Sequence, residues 1–340
     1  MKKSHLFLLK CPQNGKPLQF KEIFAEDNDR VEAGILFEPE SGSEYKIRDY
    51  IPRFVTSDNY AANFGLEWNI HSRTQYDDTS RFMITQARFK EQTQWVDQLS
   101  GEYILEVGSG SGRFTCHAAK TGATVVSLDY SDAVDANWRS NGHLENVLII
   151  QASVFDMPFD QDFFDKAFCF GVLQHTPDPE QAFKSIVPYL KPGGEIASDV
   201  YIKNLTRWLL QTKYYVRPFV KHLPPARLYS LTQKYVDLLW PLSKIIRKIP
   251  KIGYAINWKL LVADYSKELP GADDKTLKEW AYLDTFDMLS PDYDFPQTLK
   301  TFKRWHIEAN LQDVQVYKNG HGLAGRGRKP DVNDEAVGAG

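Results

Sequence analysis

Three glycines, Gly108, Gly110 and Gly112, alternate along one turn, two residues after an acid, Glu106. The apolar run Tyr103-Ile104-Leu105-Glu106-Val107 leads into them, and a helix-compatible stretch follows. A second apolar run, Ala123 to Leu128, then ends in another acid, Asp129. This is the grammar of strand, turn, helix and strand, with a turn that lets backbone approach a ligand and an acid placed to accept hydrogen bonds from ribose hydroxyls. A dinucleotide turn wants its third glycine at 113, where this chain has Arg113. Glu106 would repel a pyrophosphate and suit a cationic ligand. A second candidate for chemistry, His175, follows a later apolar run and could take a proton from a hydroxyl or an amine near neutral pH.

On these residues the chain resembles the class I S-adenosylmethionine-dependent methyltransferases of the type 11 kind, whose ligand carries a sulfonium and an ammonium and no phosphate. Three further stretches fit in order: Asp156-Met157-Pro158-Phe159, Gly171 to Pro179 with Gln174 in place of a first histidine, and Tyr189 to Gly194. The resemblance implies S-adenosyl-L-methionine as cofactor. It places Glu106 at the methionine amino end, Gly108, Ser109, Gly110 and Gly112 under the ligand, Asp129 on the ribose and Tyr130 on the adenine face. Ser153 and Val154 would meet the adenine edge, although the family often carries an acid at 153. Gly171 and Val172 would end the fourth strand beside the reacting centre, with His175 as base and Gln174 orienting a substrate hydroxyl. Trp68 and Arg73, ahead of the first strand, would supply an aromatic wall and a cation to a segment folding over the site. His306 and His321 have weaker claims.

The elements that must position these groups follow from apolar periodicity. Strands at 103–107, 123–128, 147–151, 165–170 and 195–200 alternate with helices, which predicts an α/β, doubly wound, mostly parallel sheet. By resemblance it has seven strands, the last two at 313–317 and 322–329, with the final strand antiparallel. Helical spacing predicts helices over Ser80–Leu99 and Gln297–Ala309. Residues 1–56 read as a small β-rich module, with strands near Ile35–Phe37 and Tyr45–Ile47. Its Cys11-Pro12 opening and Ile51-Pro52-Arg53-Phe54-Val55 ending resemble the zinc-ribbon-like module that accompanies some methyltransferases. Asn14 stands where a partner for Cys11 would be and no second cysteine pair exists, so no metal is expected. The organisation is then 57–100 covering the cofactor, 101–200 the cofactor-binding core, 201–296 a helical insertion over the substrate, 297–330 the rest of the core and 331–340 a disordered tail.

At 340 residues, with 42% apolar and 25% charged residues, the composition is that of a soluble globular protein. No apolar run reaches membrane-spanning length and the N-terminal one is too short for a signal peptide, so a cytoplasmic location is expected. The net charge of −3 conceals an asymmetry, because 201–260 is rich in Lys and Arg and holds one acid, Asp237. With Trp208, Tyr214, Tyr215, Phe219, Trp240 and Trp258 interspersed, this block suggests an anionic acceptor or contact with an anionic membrane surface, ahead of nucleic acid. The leading expectation is methyl transfer to a small-molecule or glycan-type acceptor, lipid- or nucleotide-linked. An RNA methyltransferase, a non-catalytic S-adenosylmethionine-binding scaffold and a nicotinamide-dependent oxidoreductase are the alternatives.

Overall fold

A computed structural model describes residues 1–56, 58–203 and 211–331. Trp208 and the segment 332–340, for which a disordered tail was expected, lie outside the described residues. Among the described residues eleven strands form one sheet: β1 (Gln19–Asp27), β2 (Arg30–Phe37), β3 (Glu44–Arg48), β4 (Ile51–Arg53), β5 (Tyr103–Val107), β6 (Thr124–Asp129), β7 (Val147–Gln151), β8 (Phe164–Cys169), β9 (Leu190–Val200), β10 (Gln312–Asn319) and β11 (Gly322–Arg328). Their order is β1-β2-β3-β4-β7-β6-β5-β8-β9-β11-β10. From β7 onward this is a doubly wound arrangement in which β5, β6, β7, β8 and β9 run parallel. β11 runs antiparallel to both β9 and β10. The order reverses between β5 and β8, and ligands of such sheets bind in the crevice beyond the strand ends at that point.

The central strands are apolar on both faces because helices cover both, and every residue of Val147–Gln151 is buried. Phe164, Phe183, Phe302 and Trp305 fill one side of the sheet, and Phe89, Phe114, Phe168 and Phe170 the other.

Residues 1–56 do not stand apart from this sheet. β1 to β4 form an antiparallel meander, and β4 joins β7 in parallel through Arg53 opposite Gln151. Arg53 is buried there, donating to Gln151 Oε1 at 2.7 Å and Asp132 Oδ1 at 3.3 Å and pairing with Asp135. Cys11 is buried with its Sγ 3.3 Å from the Tyr45 hydroxyl, and Asn14 donates to Glu38 Oε2 at 2.8 Å. Among the described residues no group of three or more His, Cys, Asp or Glu side chains could hold a metal ion.

The segment before β5 is more broken than its periodicity suggested. Helices run Ala62–Ile70, Asp77–Ser80 and Ile84–Thr93. Gln94 turns left-handed (φ 53°) and ends the last of them, so Trp95 and Leu99 pack from a loop.

In the insertion, helices run Lys213–Val220, Pro225–Arg247, Gly253–Lys259 and Asp274–Leu289. Its basic first part is largely spoken for by its own acidic second part. Lys213 and Arg217 both reach Asp294, at 3.0 and 2.6 Å. Arg247 meets the buried Asp264 at 3.1 Å, and Lys244 meets Asp274 at 3.4 Å. The charge asymmetry along the chain is therefore partly an internal pairing. No helix among the described residues is long and apolar enough to cross a membrane.

Candidate active site

At the carboxyl ends of β5, β6 and β8 a cavity of about 430 Å³ lies between the sheet and the insertion. Gly108, Ser109, Gly110, Asp129, Tyr130, Val154, Gly171, Val172, His175 and Trp68 all line it. Gly108 has φ +77°, and a Cβ there would come within 2.2 Å of Val172, so the turns after β5 and β8 can abut only with glycine at this place. A Cβ on Gly110 would meet Trp68 Nε1 at 3.1 Å, which puts the indole directly over the turn.

Asp129 is tied into the turn. Its Oδ2 accepts from the Gly110 amide at 2.8 Å, and its Oδ1 accepts from the amide and hydroxyl of Ser131 at 2.8 and 2.7 Å. Burial raises its pKa against those hydrogen bonds. Beside it Tyr130 faces Tyr60, ring centres 4.9 Å apart, and Ala152 and Val154 give an apolar floor. A carboxylate with lone pairs toward the cavity, flat rings, an apolar floor and a side-chain-free turn fit the ribose, adenine and methionine parts of S-adenosylmethionine.

His175 closes the other end. The chain after β8 makes a short 3-10 turn, Leu173–His175, that sinks Leu173 and Gln174 into the core and leaves the imidazole at the cavity wall. Nδ1 lies 2.9 Å from the Tyr293 carbonyl, which can only accept, so Nδ1 carries hydrogen and Nε2 carries the lone pair. Among the described residues Nε2 has no hydrogen-bond partner. Phe64 and Tyr201 flank the ring at 5.1 and 5.4 Å.

Five residues expected at the site do not line this cavity. Gln174 does not reach the cavity: it is fully buried, and its carbonyl accepts from the Phe295 amide at 2.9 Å. Ser153 is turned into its own loop, where its Oγ accepts from the Phe155 amide at 3.2 Å. Arg73 lies outside the cavity, paired with Asp78 and stacked over Tyr76 at 4.2 Å. Gly112 faces a helix and not the ligand space, since a Cβ there would strike Asn137 Oδ1 at 2.0 Å. Glu106 lies beneath the turn, accepting from Thr115 and, at 2.7 Å, from Ser127. Burial lifts its pKa to about 7 despite those two donors.

Of the two outlying histidines, His321 lines the cavity, whereas His306 is buried between Phe183 and Phe302. Several lining groups carried no recognisable sequence signal. Arg88, paired with Asp199, and Arg113 stand on the core side. From the insertion come Tyr254, Trp258, Tyr265, Trp280 and the acids Glu268, Asp284 and Asp287, with no lysine or arginine among the described residues. Glu67 adds a fourth acid. This disagrees with an anionic acceptor drawn in by the basic stretch.

Residues 105–198 match the family described as "Methyltransferase domain". That match takes in the glycine turn, Asp129 and His175, and leaves the N-terminal strands and the helical insertion outside it. Among curated proteins it is similar to a demethylmenaquinone methyltransferase of Clavibacter sepedonicus, 31% identical over 105 residues that make up 31% of this chain and 43% of that protein. A ubiquinone biosynthesis O-methyltransferase of Pseudomonas entomophila (strain L48) is 28% identical over 132 residues, 34% of this chain and 53% of that one. The chain thus spans about half the length of the curated relatives it matches. A solved SAM-dependent methyltransferase of Methanosarcina mazei is 15% identical with a TM-score of 0.39, over 68% of this chain and 94% of that one.

Proposed function

We propose that this protein transfers a methyl group from S-adenosylmethionine to a small organic acceptor held between the sheet and the helical insertion. The observation that carries the reading is the continuity of one cavity from the Gly108–Asp129 turn to His175 Nε2. When bound, S-adenosylmethionine supplies a methyl group on a sulfonium, an already activated donor. The protein then has to align the acceptor and take up its proton. Asp129, Tyr130 and the glycine turn hold the donor side. His175 Nε2 takes the proton as the acceptor atom commits its lone pair, and the Tyr293 carbonyl, accepting from Nδ1, supports the imidazolium that results. Trp68 and Phe64 exclude water from above.

Trp258 and Trp280 offer flat apolar faces, which suit a glycan-type ring as well as an aromatic one. For a lipid- or nucleotide-linked acceptor, the four acids of the wall require the phosphates to remain outside the cavity. Calorimetry with S-adenosylmethionine and with NAD tests the donor. Incubation with labelled S-adenosylmethionine and extracted metabolites tests transfer. Binding of NAD alone, or of neither compound, would overturn the reading.

A second observation supports a membrane-facing role. Leu231, Tyr235, Leu238, Leu242 and Ile245 recur at four- and three-residue steps along Pro225–Arg247 and stay exposed, Leu238 at 77% and Ile245 at 64%. Lys234 and Lys248 neighbour that stripe in sequence. We infer that this face rests on an anionic membrane surface, with the aliphatic side chains at the headgroup boundary.

A further inference from the structure

Glu67 is 1% exposed, and neither of its carboxylate oxygens has a hydrogen-bond partner among the described residues. It faces the cavity from the helix Ala62–Ile70. Asp284 and Asp287 face the same space from the helix Asp274–Leu289, three residues apart and so on one side of it. Asp284 accepts from the Tyr265 hydroxyl, while the Asp287 side chain makes no hydrogen bond or ion pair among the described residues. Burying one carboxylate without a partner is costly, and gathering three makes each the others' opponent. Burial first, and the neighbouring acids second, hold Glu67 and Asp284 well above the usual carboxylate range. Burial raises Asp287 too, against the pull of His175, Lys213 and Arg217.

The cations nearby do not balance this group. Lys213 and Arg217 are committed to Asp294, and Arg88 to Asp199. Arg113 lines the cavity without an ion pair among the described residues, its guanidinium 4.7 Å from the Phe114 ring, and its charge draws on Asp284 alone of the three acids. Around them stand Trp258, Tyr265 and Trp280, with ring centres 5.8 and 4.6 Å apart in sequence along the wall. Carboxylates set among aromatic faces are the chemistry that recognises an organic ammonium.

We propose that the acceptor half of this cavity binds an ammonium group, so that the acceptor is an amine-bearing ring compound whose charged nitrogen sits among Glu67, Asp284 and Asp287. The proposal rests on the methyl-transfer reading, which makes this half of the cavity the acceptor's. An incoming ammonium would ionise the acids it touches and give Glu67 the partners it lacks. It would also explain why the insertion brings acids and not its many basic residues to the wall.

The test uses the full chain saturated with S-adenosylhomocysteine, titrated in a calorimeter with tyramine, tyrosol and 4-hydroxyphenylacetate. These share a phenol ring and carry a cation, a neutral hydroxyl and an anion. Tyramine is expected to bind at least roughly tenfold more tightly than tyrosol, with the anion weakest, since a charge-assisted hydrogen bond is stronger than a neutral one. Glu67→Gln and Asp287→Asn should each erase that preference while S-adenosylmethionine affinity stays as in the parent, which also shows that the variants fold. Equal affinity for tyramine and tyrosol, or no saturable binding of tyramine, overturns the proposal. So does a tenfold loss of S-adenosylmethionine affinity in either variant, which would give the acids to the donor's own ammonium. Failure of the methyl-transfer reading looks different, because S-adenosylmethionine and S-adenosylhomocysteine would then not bind at all.

Discussion

The amide of Gly110 donates to Asp129 Oδ2 across 2.8 Å, so the turn after the first core strand and the acid that ends the second are one unit. Removing the carboxylate deprives the ribose of its acceptor and frees the turn it braces. Asp129→Ala should weaken S-adenosylmethionine binding by at least roughly tenfold, given about 1.5–3 kcal/mol for a hydrogen bond to a charged group. Calorimetry checks it, and unchanged affinity in a folded variant would remove Asp129 from the ribose site.

Gly112 belongs to the fold. Its φ of +85° and the Asn137 and Asn141 side chains against it leave no room for a methyl group. Gly112→Ala should therefore cost about 1–3 kcal/mol of stability through overpacking and backbone strain. Thermal unfolding reads this directly, and an unshifted midpoint would mean the asparagines can retreat.

His175→Ala removes the only assigned proton acceptor. Methyl transfer should fall by ~10²–10⁴-fold, the usual share of a general base. S-adenosylmethionine affinity should stay within about twofold, since the ring faces the acceptor. Equal turnover in the variant would leave His175 as a prop for the Tyr293 segment.

Glu106 makes stability depend on pH in the less common direction. In the fold its carboxyl keeps its proton up to about pH 7, whereas in the unfolded chain it releases it near 4.5. Unfolding thus releases a proton between those values, and this group's contribution falls as pH rises from about 4.5 to 7 and is flat above. Glu106→Gln, which cannot ionise, should gain on the parent chain between pH 5 and pH 8. Parallel melting curves at the two pH values would contradict this.

The stripe on Pro225–Arg247 gives a physical readout. The chain should float with vesicles containing anionic lipid at low salt and be released as salt rises, because the attraction acts within a Debye length of about 10 Å. Leu238→Asp combined with Ile245→Asp should abolish flotation, each buried aliphatic side chain being worth about 1.5–3 kcal/mol. Absence of flotation at low salt refutes the membrane reading.

The parallel core was legible because short apolar runs closed by turn residues alternate with helix-compatible stretches, most plainly at Val147–Gln151. β1 was not, because Gln19–Asp27 lies mostly exposed and shows no alternation to read. Gly112 looks like its two neighbours in sequence, and only the packing of Ala133–Asn141 against it separates their duties. Gln174 lies off the cavity because a single 3-10 turn decides which of two adjacent side chains lines it, which sequence spacing does not show. The acidic wall was invisible because Glu67 and Asp287 come from helices far apart in the chain, each unremarkable alone. Likewise the pairing of part of the basic block with Asp264, Asp274 and Asp294 joins residues from separate helices and loops and leaves no local pattern in the sequence.

The sheet order also sets a timetable for synthesis. β4 emerges early but must wait for β7, and β9 emerges long before β11, its outer neighbour, which follows the whole helical insertion. While the ribosome works through 201–296, the strand Leu190–Val200, most of which is buried in the fold, has an open edge able to pair with another nascent chain. Slow codons or truncation within that interval should cost yield through aggregation, while the same pause after Arg328 should be harmless.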